Sequence, residues 1–335
     1  MSSDPAPTLA SLARELGVHV STVSRALSEP PSGISSSMVD QVRHLAMERG
    51  YRSNLAARAL RTGRSLVIGM LVPRLTDAVL ATVYAGVDEA AMDAGYATLV
   101  ANTLDRPDLR QQRLQRLLAR QVDGVIVADS RYDSNIIGAL EAARVPHVLA
   151  LRCLPDRLSI GTDDRLGGRL IGEHLLSLGH RRFGVVAGDT RASTGDERTQ
   201  GFLDVCAEAG VHIPGQLVVP CAFDLRSGSA AAAQVLDADP DVTAIFATSD
   251  DVALGVLATL RDRGRSVPDD IALVGYNNLD LAAALPVPLT TVDSRLVEVG
   301  RAAMSALLAV IGGRSASSVR LTPRLIVRSS SGSTR

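Results

Sequence analysis

The sequence predicts an α/β chain in two parts, a small all-α N-terminal module and a large body of doubly wound parallel sheets. Three observations lead there. Three amphipathic helical segments fill about the first 50 residues and carry a basic surplus. Beyond them, short apolar runs alternate with helical segments at roughly 25–30 residues per strand, the rhythm of right-handed βαβ units. Those strands come as two runs of four, so two sheets are expected.

At 335 residues the chain can form two or three domains with buried cores. A hydrophobic content of 46% and a net charge of −1 are those of a globular protein, and no run approaches the roughly 20 apolar residues of a membrane span. The start, MSSDPAPTLASLARELG, lacks a basic segment followed by an apolar one, so no secretory signal is expected and the cytoplasm is the expected compartment. Cys153, Cys206 and Cys221 are unclustered and odd in number, which favours buried free thiols over disulfides or metal.

Charge is uneven along the chain. Residues 1–64 hold eight arginines against five acids, while the remainder holds 27 against 31. A basic head on an acidic body points to a polyanionic partner for the head alone. All 35 basic residues are arginine, so lysine-dependent phosphate loops, Schiff bases and kinase sites are excluded. There is also no G-x-S-x-G, no H-E-x-x-H, no G-x-G-x-x-G opening a helix after a strand, and no Cys/His metal spacing. The paired carboxylates Asp163-Asp164 and Asp250-Asp251 fall at expected helix starts, where acids are commonly caps. No enzyme, metal or cofactor is expected.

Residues 8–27 read TLASLARELGVHVSTVSRAL. Leu9, Leu12, Ala13 and Leu16 recur at helical spacing, and Gly17 ends that helix as a left-handed cap. A second helix begins near Val20 with Val23, Ala26 and Leu27 inward. Small Ala13, turn Gly17 and branched Val23 suit a helix-turn-helix, although any amphipathic helix pair could show this pattern. Residues 34–51 give a third helix, with Val39, Val42, Leu45 and Ala46 inward, caps at 35–37 and Gly50 at its end. The following stretch, YRSNLAARALRTGRS, is basic without one acid; by itself it reads as a solvated linker.

In the body, LVIGMLV, ATLVAN, GVIVA and HVLA are strands, with helices over 79–94, 109–121 and 134–144. FGVVAG, LVVP, AIFAT and IALVGY repeat the rhythm, with helices near 165–178, 197–210, 226–237 and 251–264. LTTVDS, a helix over 295–312 and RLTPRLIVR then recross between the two sets.

Taken together, TLASLARELGVHVSTVSRAL, RGYRSNLAARAL and IGMLVP resemble the lactose- and purine-repressor family of bacterial transcription regulators over nearly the whole chain. The resemblance implies a helix-turn-helix headpiece over 1–52, a hinge over 53–64, and a two-lobed periplasmic-binding-protein-like core over 65–335. Its lobes would be 65–162 with 293–320, and 163–290 with 322–330. It further implies a homodimer that reads a pseudo-palindromic double-stranded DNA operator, a small-molecule effector between the lobes, and no membrane partner. A solute-binding protein would share the core but not residues 1–64.

By the same resemblance, Val20, Ser21 and Arg25 face base edges, Arg25 being able to bridge O6 and N7 of a guanine. Thr8, His19, Thr22, Ser24 and Ser35 are the remaining headpiece candidates for DNA contact; hydroxyls there would position phosphates without reading sequence. Asn54, Ala57, Arg58 and Leu60 match a hinge helix that folds in the minor groove, with Leu60 as the wedge. Departures matter here. His19 stands at a serine position, Met38, Val39 and Gln41 replace polar or basic residues before the third helix, and Ser53 replaces proline. Fewer phosphate donors should give weaker nonspecific binding and a shallower salt dependence.

Ligands of doubly wound folds sit beyond the carboxyl ends of strands. That rule and the resemblance select Thr194, Arg198, Phe223, Ser249 and Asn277, with Leu80 from the first lobe. Arg198, expected at a helix start, should point at an anionic or hydroxyl-rich group: Asp196, Glu197 or a ligand. Asn277, Val79, Leu80 and Leu151 replace acidic or aromatic residues of relatives, so the pocket is expected to lack carboxylates and stacking faces. A sugar or sugar derivative leads, followed by another metabolite, then no effector at all.

Overall fold

The computed structural model describes residues 7–28, 31–51 and 63–332 of the chain. It divides into two compact units, Met1–Ser65 and Leu66–Arg335.

The first unit holds Leu9–Leu16 (α1), Val20–Ala26 (α2) and Ser36–Glu48 (α3). Thr8 caps α1, its hydroxyl accepting from the Ser11 amide at 3.1 Å while its own amide donates to Ser11 Oγ at 2.8 Å. Gly17 takes φ +62°, and the Val18 amide reaches back to the Ala13 carbonyl at 3.0 Å, a Schellman closure that turns the chain into α2. Leu12, Ala13, Val23, Ala26, Val39, Val42 and Ala46 make the core. Tyr51 packs on that core and its amide bonds the Ala46 carbonyl at 2.8 Å. It therefore closes the third helix and is part of this unit's core.

The second unit begins with Val67–Val72 (β1), Ala78–Asp93 (α4), Ala97–Asn102 (β2), Pro107–Ala119 (α5), Gly124–Val127 (β3), Ile136–Ala142 (α6), His147–Ala150 (β4) and Ser159–Thr162 (β5). Asp164–Ser177 (α7), Phe183–Ala187 (β6), Ser193–Glu208 (α8), Val218–Pro220 (β7), Leu225–Ala238 (α9), Ala244–Ala247 (β8), Asp250–Asp262 (α10), Ala272–Val274 (β9) and Asp280–Ala284 (α11) form the second lobe. Thr291–Asp293 (β10), Leu296–Ile311 (α12), Val319–Leu321 (β11) and Arg324–Ile326 (β12) then recross.

All neighbours in the first sheet, β11-β5-β4-β3-β1-β2, are parallel, as are those in the second, β7-β6-β8-β9. In the first lobe α4 and α12 pack on one sheet face and α5 and α6 on the other; the second lobe encloses one larger core. The first sheet has six strands, not four. Strands β5 and β11 are only four and three residues long, and their pairing, Val319 beside Ile160, exists only once the distant segments meet. The crossover strands β10 and β12 pair antiparallel, and Thr162 Oγ1 donates to the Ser294 carbonyl at 2.6 Å, tying two crossings together.

Close helix packing sets the second lobe. A Cβ on Gly168 would lie 2.1 Å from the Arg198 carbonyl, and one on Gly201 2.0 Å from the Arg165 carbonyl. Glycine at both positions lets α7 and α8 touch backbone to backbone, which puts Asp164 and Arg198 side by side.

Candidate functional site

In the headpiece, Val23 and Ala26 turn α2 inward, leaving Val20 (40% exposed), Ser21 and Arg25 on the outer face and Thr22 and Ser24 half-buried. His19 caps α2: its Nδ1 accepts from the Ser21 amide at 3.3 Å and lies 2.8 Å from Ser21 Oγ. The imidazole thus does the work of the serine it replaces, and it occupies Ser21. Arg25 Nε donates to the Ser21 carbonyl at 3.3 Å, laying the guanidinium along its own helix. Ser35 precedes α3 as its N-cap residue without a side-chain cap bond, its hydroxyl 3.3 Å from that of Ser37. Met38 and Val39 fall inside the first turn of α3, not before it, and pack on the core, so a larger basic residue at 39 would have to leave that core. Arg49 pairs with Glu15 across the module and holds that carboxyl below its usual range. Asn54, Ala57, Arg58 and Leu60 lie outside the described residues.

In the second unit a cleft lies between the lobes, about 380 Å³ when the space open to solvent is counted, lined by Leu80, Thr194, Arg198, Phe223, Ser249 and Asn277 together with Asp77, Val79, Leu151, Arg152 and Asp251. All six residues selected from sequence meet there. The first lobe supplies the N-terminus of α4 and the end of β4; the second supplies α8, the loop after β7, the N-terminus of α10 and the loop after β9. Ser249 caps α10, accepting from the Val252 amide at 3.2 Å. The Phe223 ring rests on Gly188, where a Cβ would approach its Cζ to 2.3 Å.

Arg198 is 2% exposed, and its partner is neither Asp196 nor Glu197. Nε donates to Asp164 Oδ1 at 2.8 Å, Nη1 donates to the Thr248 carbonyl at 2.8 Å, and the guanidinium stacks 3.8 Å from the Tyr276 ring centroid. Burial is the largest influence and opposes its charge, but Asp164 and Tyr276 together outweigh it and keep Arg198 above the ordinary arginine value. Helix α8 starts at Ser193, four residues before the expected 197, so Arg198 sits in its second turn. Asp196 instead accepts from the Tyr132 hydroxyl at 3.3 Å, and Glu197 pairs with Arg320 at 2.9 Å. Asn277, at φ +104°, accepts weakly from Arg198 Nη1 at 3.5 Å and donates to Ser294 Oγ at 3.0 Å. A chain of polar contacts therefore runs from the cleft to the crossover strands.

The expected loss of carboxylates is overturned by Asp77 and Asp251, which enter the cleft from opposite lobes. Asp77 caps α4 through the Val79 amide at 2.9 Å. Burial raises its pKa, and the charge of Asp251 raises it further; burial raises Asp251 as well, with Arg74 opposing. Asp77 caps and Asp251 lies in the first turn of helices that follow strands, so the rule that found Ser249 could have found them. Of the other acids expected as caps, Asp163 does cap α7, through the Leu166 amide at 2.9 Å. Asp164 instead pairs with Arg198, and Asp250 bridges Thr291 Oγ1 at 2.7 Å and the Leu279 amide at 2.8 Å.

Contacts between lobes flank the cleft. Arg74 reaches Asp224 at 3.1 Å, Arg131 reaches Asp189 at 3.0 Å, and the Cys153 amide donates to Ser193 Oγ at 2.8 Å. Arg131 also pairs with Asp105 at 2.9 Å, and Arg110 is bidentate on Asp129 at 2.8 and 2.9 Å. The three cysteines are free, Cys221 only half-buried, and burial pushes the thiols up to about 12, 11 and 12 for Cys153, Cys206 and Cys221. Among the described residues no helix is long and apolar enough to cross a membrane.

Residues 173–331 match the model of a periplasmic binding protein-like domain. The chain is 33% identical to the HTH-type transcriptional regulator CelR of Thermobifida fusca, over 97% of this chain and 98% of that protein. The solved complex of a transcriptional regulator CelR with cellobiose superposes with a TM-score of 0.75 at 30% identity, covering 97% of this chain and 99% of that one. The Lac repressor dimer bound to operator and an anti-inducer gives 0.87 at 25% identity, covering 98% and 99%.

Proposed function

The chain belongs to the LacI family of helix-turn-helix transcriptional regulators, and from that premise we propose that it is a cytoplasmic dimeric repressor whose operator affinity is set by a small molecule bound between its lobes. The observation that carries this reading is the cleft. Six residues scattered from Leu80 to Asn277 converge on it, and Asn277 links it to Ser294, whose carbonyl holds Thr162 at the crossover. A ligand that rearranges Asn277 acts where the chain passes between lobes, so it can shift the population of lobe spacings.

In the headpiece, the exposed face of α2 carries Val20, Ser21 and Arg25 toward base edges, with Arg25 swinging off its helix to meet a guanine. Thr8, His19, Thr22, Ser24 and Ser35 are assigned to positioning on the DNA backbone; Thr8, His19 and Ser35 stand at helix N-termini, where backbone N–H groups favour phosphate. Asn54, Ala57, Arg58 and Leu60 are assigned to a hinge helix that orders on a kinked minor groove, with Leu60 wedged into a base step. Ser53, lacking the fixed φ of proline, makes that ordering more costly. The solved Lac repressor dimer on its operator and CelR with cellobiose support the same division of labour.

Selection of binding sites from random DNA by the full chain, repeated while metabolites are screened for release, tests this reading. A near-palindromic site competed off by one metabolite is the expected result. No preference over bulk competitor DNA would overturn it.

A further inference from the structure

We propose that the ligand of the interlobe cleft carries a cationic amine together with hydroxyl oxygens, as an amino sugar does. This rests on the reading of the cleft as an effector site.

The charge at one end of the cleft is unbalanced. Asp77 comes from the first lobe and Asp251 from the second, and among the described residues neither makes an ion pair. Arg74 is the basic group whose charge acts on both, and it is already held by Asp224 at 3.1 Å. One cation thus stands against three carboxylates, two of them lining the cleft. Asp77 accepts from the Val79 amide, and the Leu80 amide also lowers its pKa, but neither amide carries a charge to balance it. An ammonium group between Asp77 and Asp251 would neutralise both and join the two lobes through charge-assisted hydrogen bonds.

The opposite wall asks for something different. Arg152 is 5% exposed and lines the same cleft, and its Nη1 donates no hydrogen bond. Its nearest carboxylates, Asp129 and Asp105, lie at 3.6 and 3.7 Å and are shared with Arg110 and Arg131, so Nη1 is left without an acceptor. A buried donor in that state is costly until an acceptor arrives. A hydroxyl or ring oxygen of the ligand would supply that acceptor without adding a negative charge to a cleft that already holds Asp77 and Asp251. Phe223, Val79 and Leu80 supply the apolar surface against which the C–H face of a sugar ring packs. A neutral sugar would leave Asp77 and Asp251 facing one another, and an acidic one would add a third negative charge.

The test uses the full chain in thermal-shift and calorimetric titrations. The ligands are glucosamine, galactosamine and mannosamine, each with its parent hexose and its N-acetyl form, which lacks the charge. One amine should bind about ten-fold or more tightly than both neutral counterparts, the discrimination expected of a charge-assisted pair. Asp77→Asn with Asp251→Asn should remove that discrimination; asparagine keeps the α4 cap, and Asp251→Asn alone serves if the double variant does not fold. Equal binding of amine and parent hexose, or no amine binding at all, overturns the proposal. If neutral hexoses bind and Phe223→Ala abolishes their binding, the effector reading stands and the amine falls. If binding of any sugar is indifferent to Phe223→Ala, the cleft itself is the wrong site.

Discussion

Replacing Arg198 by methionine should destabilise the chain by about 3–5 kcal/mol, the usual cost of orphaning one member of a buried ion pair. The magnitude follows from the surroundings. Asp164 is fully buried, 2.8 Å from Arg198 Nε, and closely packed α7 and α8 admit no rearrangement that would bring it another cation. The substitution also removes the Thr248 carbonyl's donor and the cation over the Tyr276 ring. Domain stabilities are about 5–15 kcal/mol, so the variant should be soluble only in mild conditions. Asp164→Asn should cost a comparable amount, since it leaves the guanidinium uncompensated. The double variant, with no charge left to bury, should cost clearly less than the sum, a coupling of about 2 kcal/mol or more. Urea unfolding followed by circular dichroism measures all four proteins; the chain has no tryptophan to report by fluorescence. If the two single losses add within about 0.5 kcal/mol, the pair is not what holds Arg198, and the residue must be read as a ligand-facing group.

Four further outcomes are expected. Burial lifts the Asp250 carboxyl to about 6 against the donors Thr291 and Leu279, well above its unfolded value. The folded state therefore holds the proton more tightly, and this stabilisation is fully present below the unfolded pKa, largely present at pH 4 and lost as pH rises through 6, so Asp250→Asn should gain on the parent by about 2 kcal/mol from pH 4 to 8; a pH-independent difference in urea titrations would refute it. Arg25→Ala should weaken operator binding by about 1–3 kcal/mol and relax preference at one base pair, whereas a uniform loss over all sequences in fluorescence anisotropy would make Arg25 a phosphate contact. The slope of log affinity against log salt should be shallower than that of a relative with basic residues at the positions of Val39 and Gln41; an equal slope contradicts the count of phosphate donors. Gly168→Ala places a Cβ 2.1 Å from the Arg198 carbonyl, so it should lower stability by about 1–3 kcal/mol and weaken coupling in the Arg198–Asp164 cycle; a neutral effect on both would show that α7 can yield.

Much of the architecture is legible because its signals are local. Gly17 and Gly50 end helices by adopting a left-handed conformation that a Cβ resists, and apolar runs of four to six residues mark the longer strands. The topological rule for parallel sheets placed Thr194, Arg198, Phe223, Ser249 and Asn277 beside one cleft because a strand's carboxyl end is readable from sequence order. What escaped was every feature that depends on which distant segment arrives. Strands β5 and β11 read SIGT and VRL and lack the continuous apolar run that marks the equally short β3 and β4, and α8 begins early, at Ser193, whose hydroxyl accepts from the distant Cys153 amide.

Arg198 shows the division most clearly. Sequence determined that a cation follows the FGVVAG strand by ten residues, close to acids at 196 and 197. Successive helical residues point about 100° apart, so those neighbours face elsewhere, and the cation found Asp164 on the next helix, 34 residues back. Only the glycine-lined approach of α7 to α8 could choose that partner. The same holds for Asp77 and Asp251: each is locally a helix-start acid, and they become opposing charges only when two lobes close on one another. Local geometry can be read along the chain, but the electrostatic balance of a site belongs to the groups that folding brings within a few ångströms.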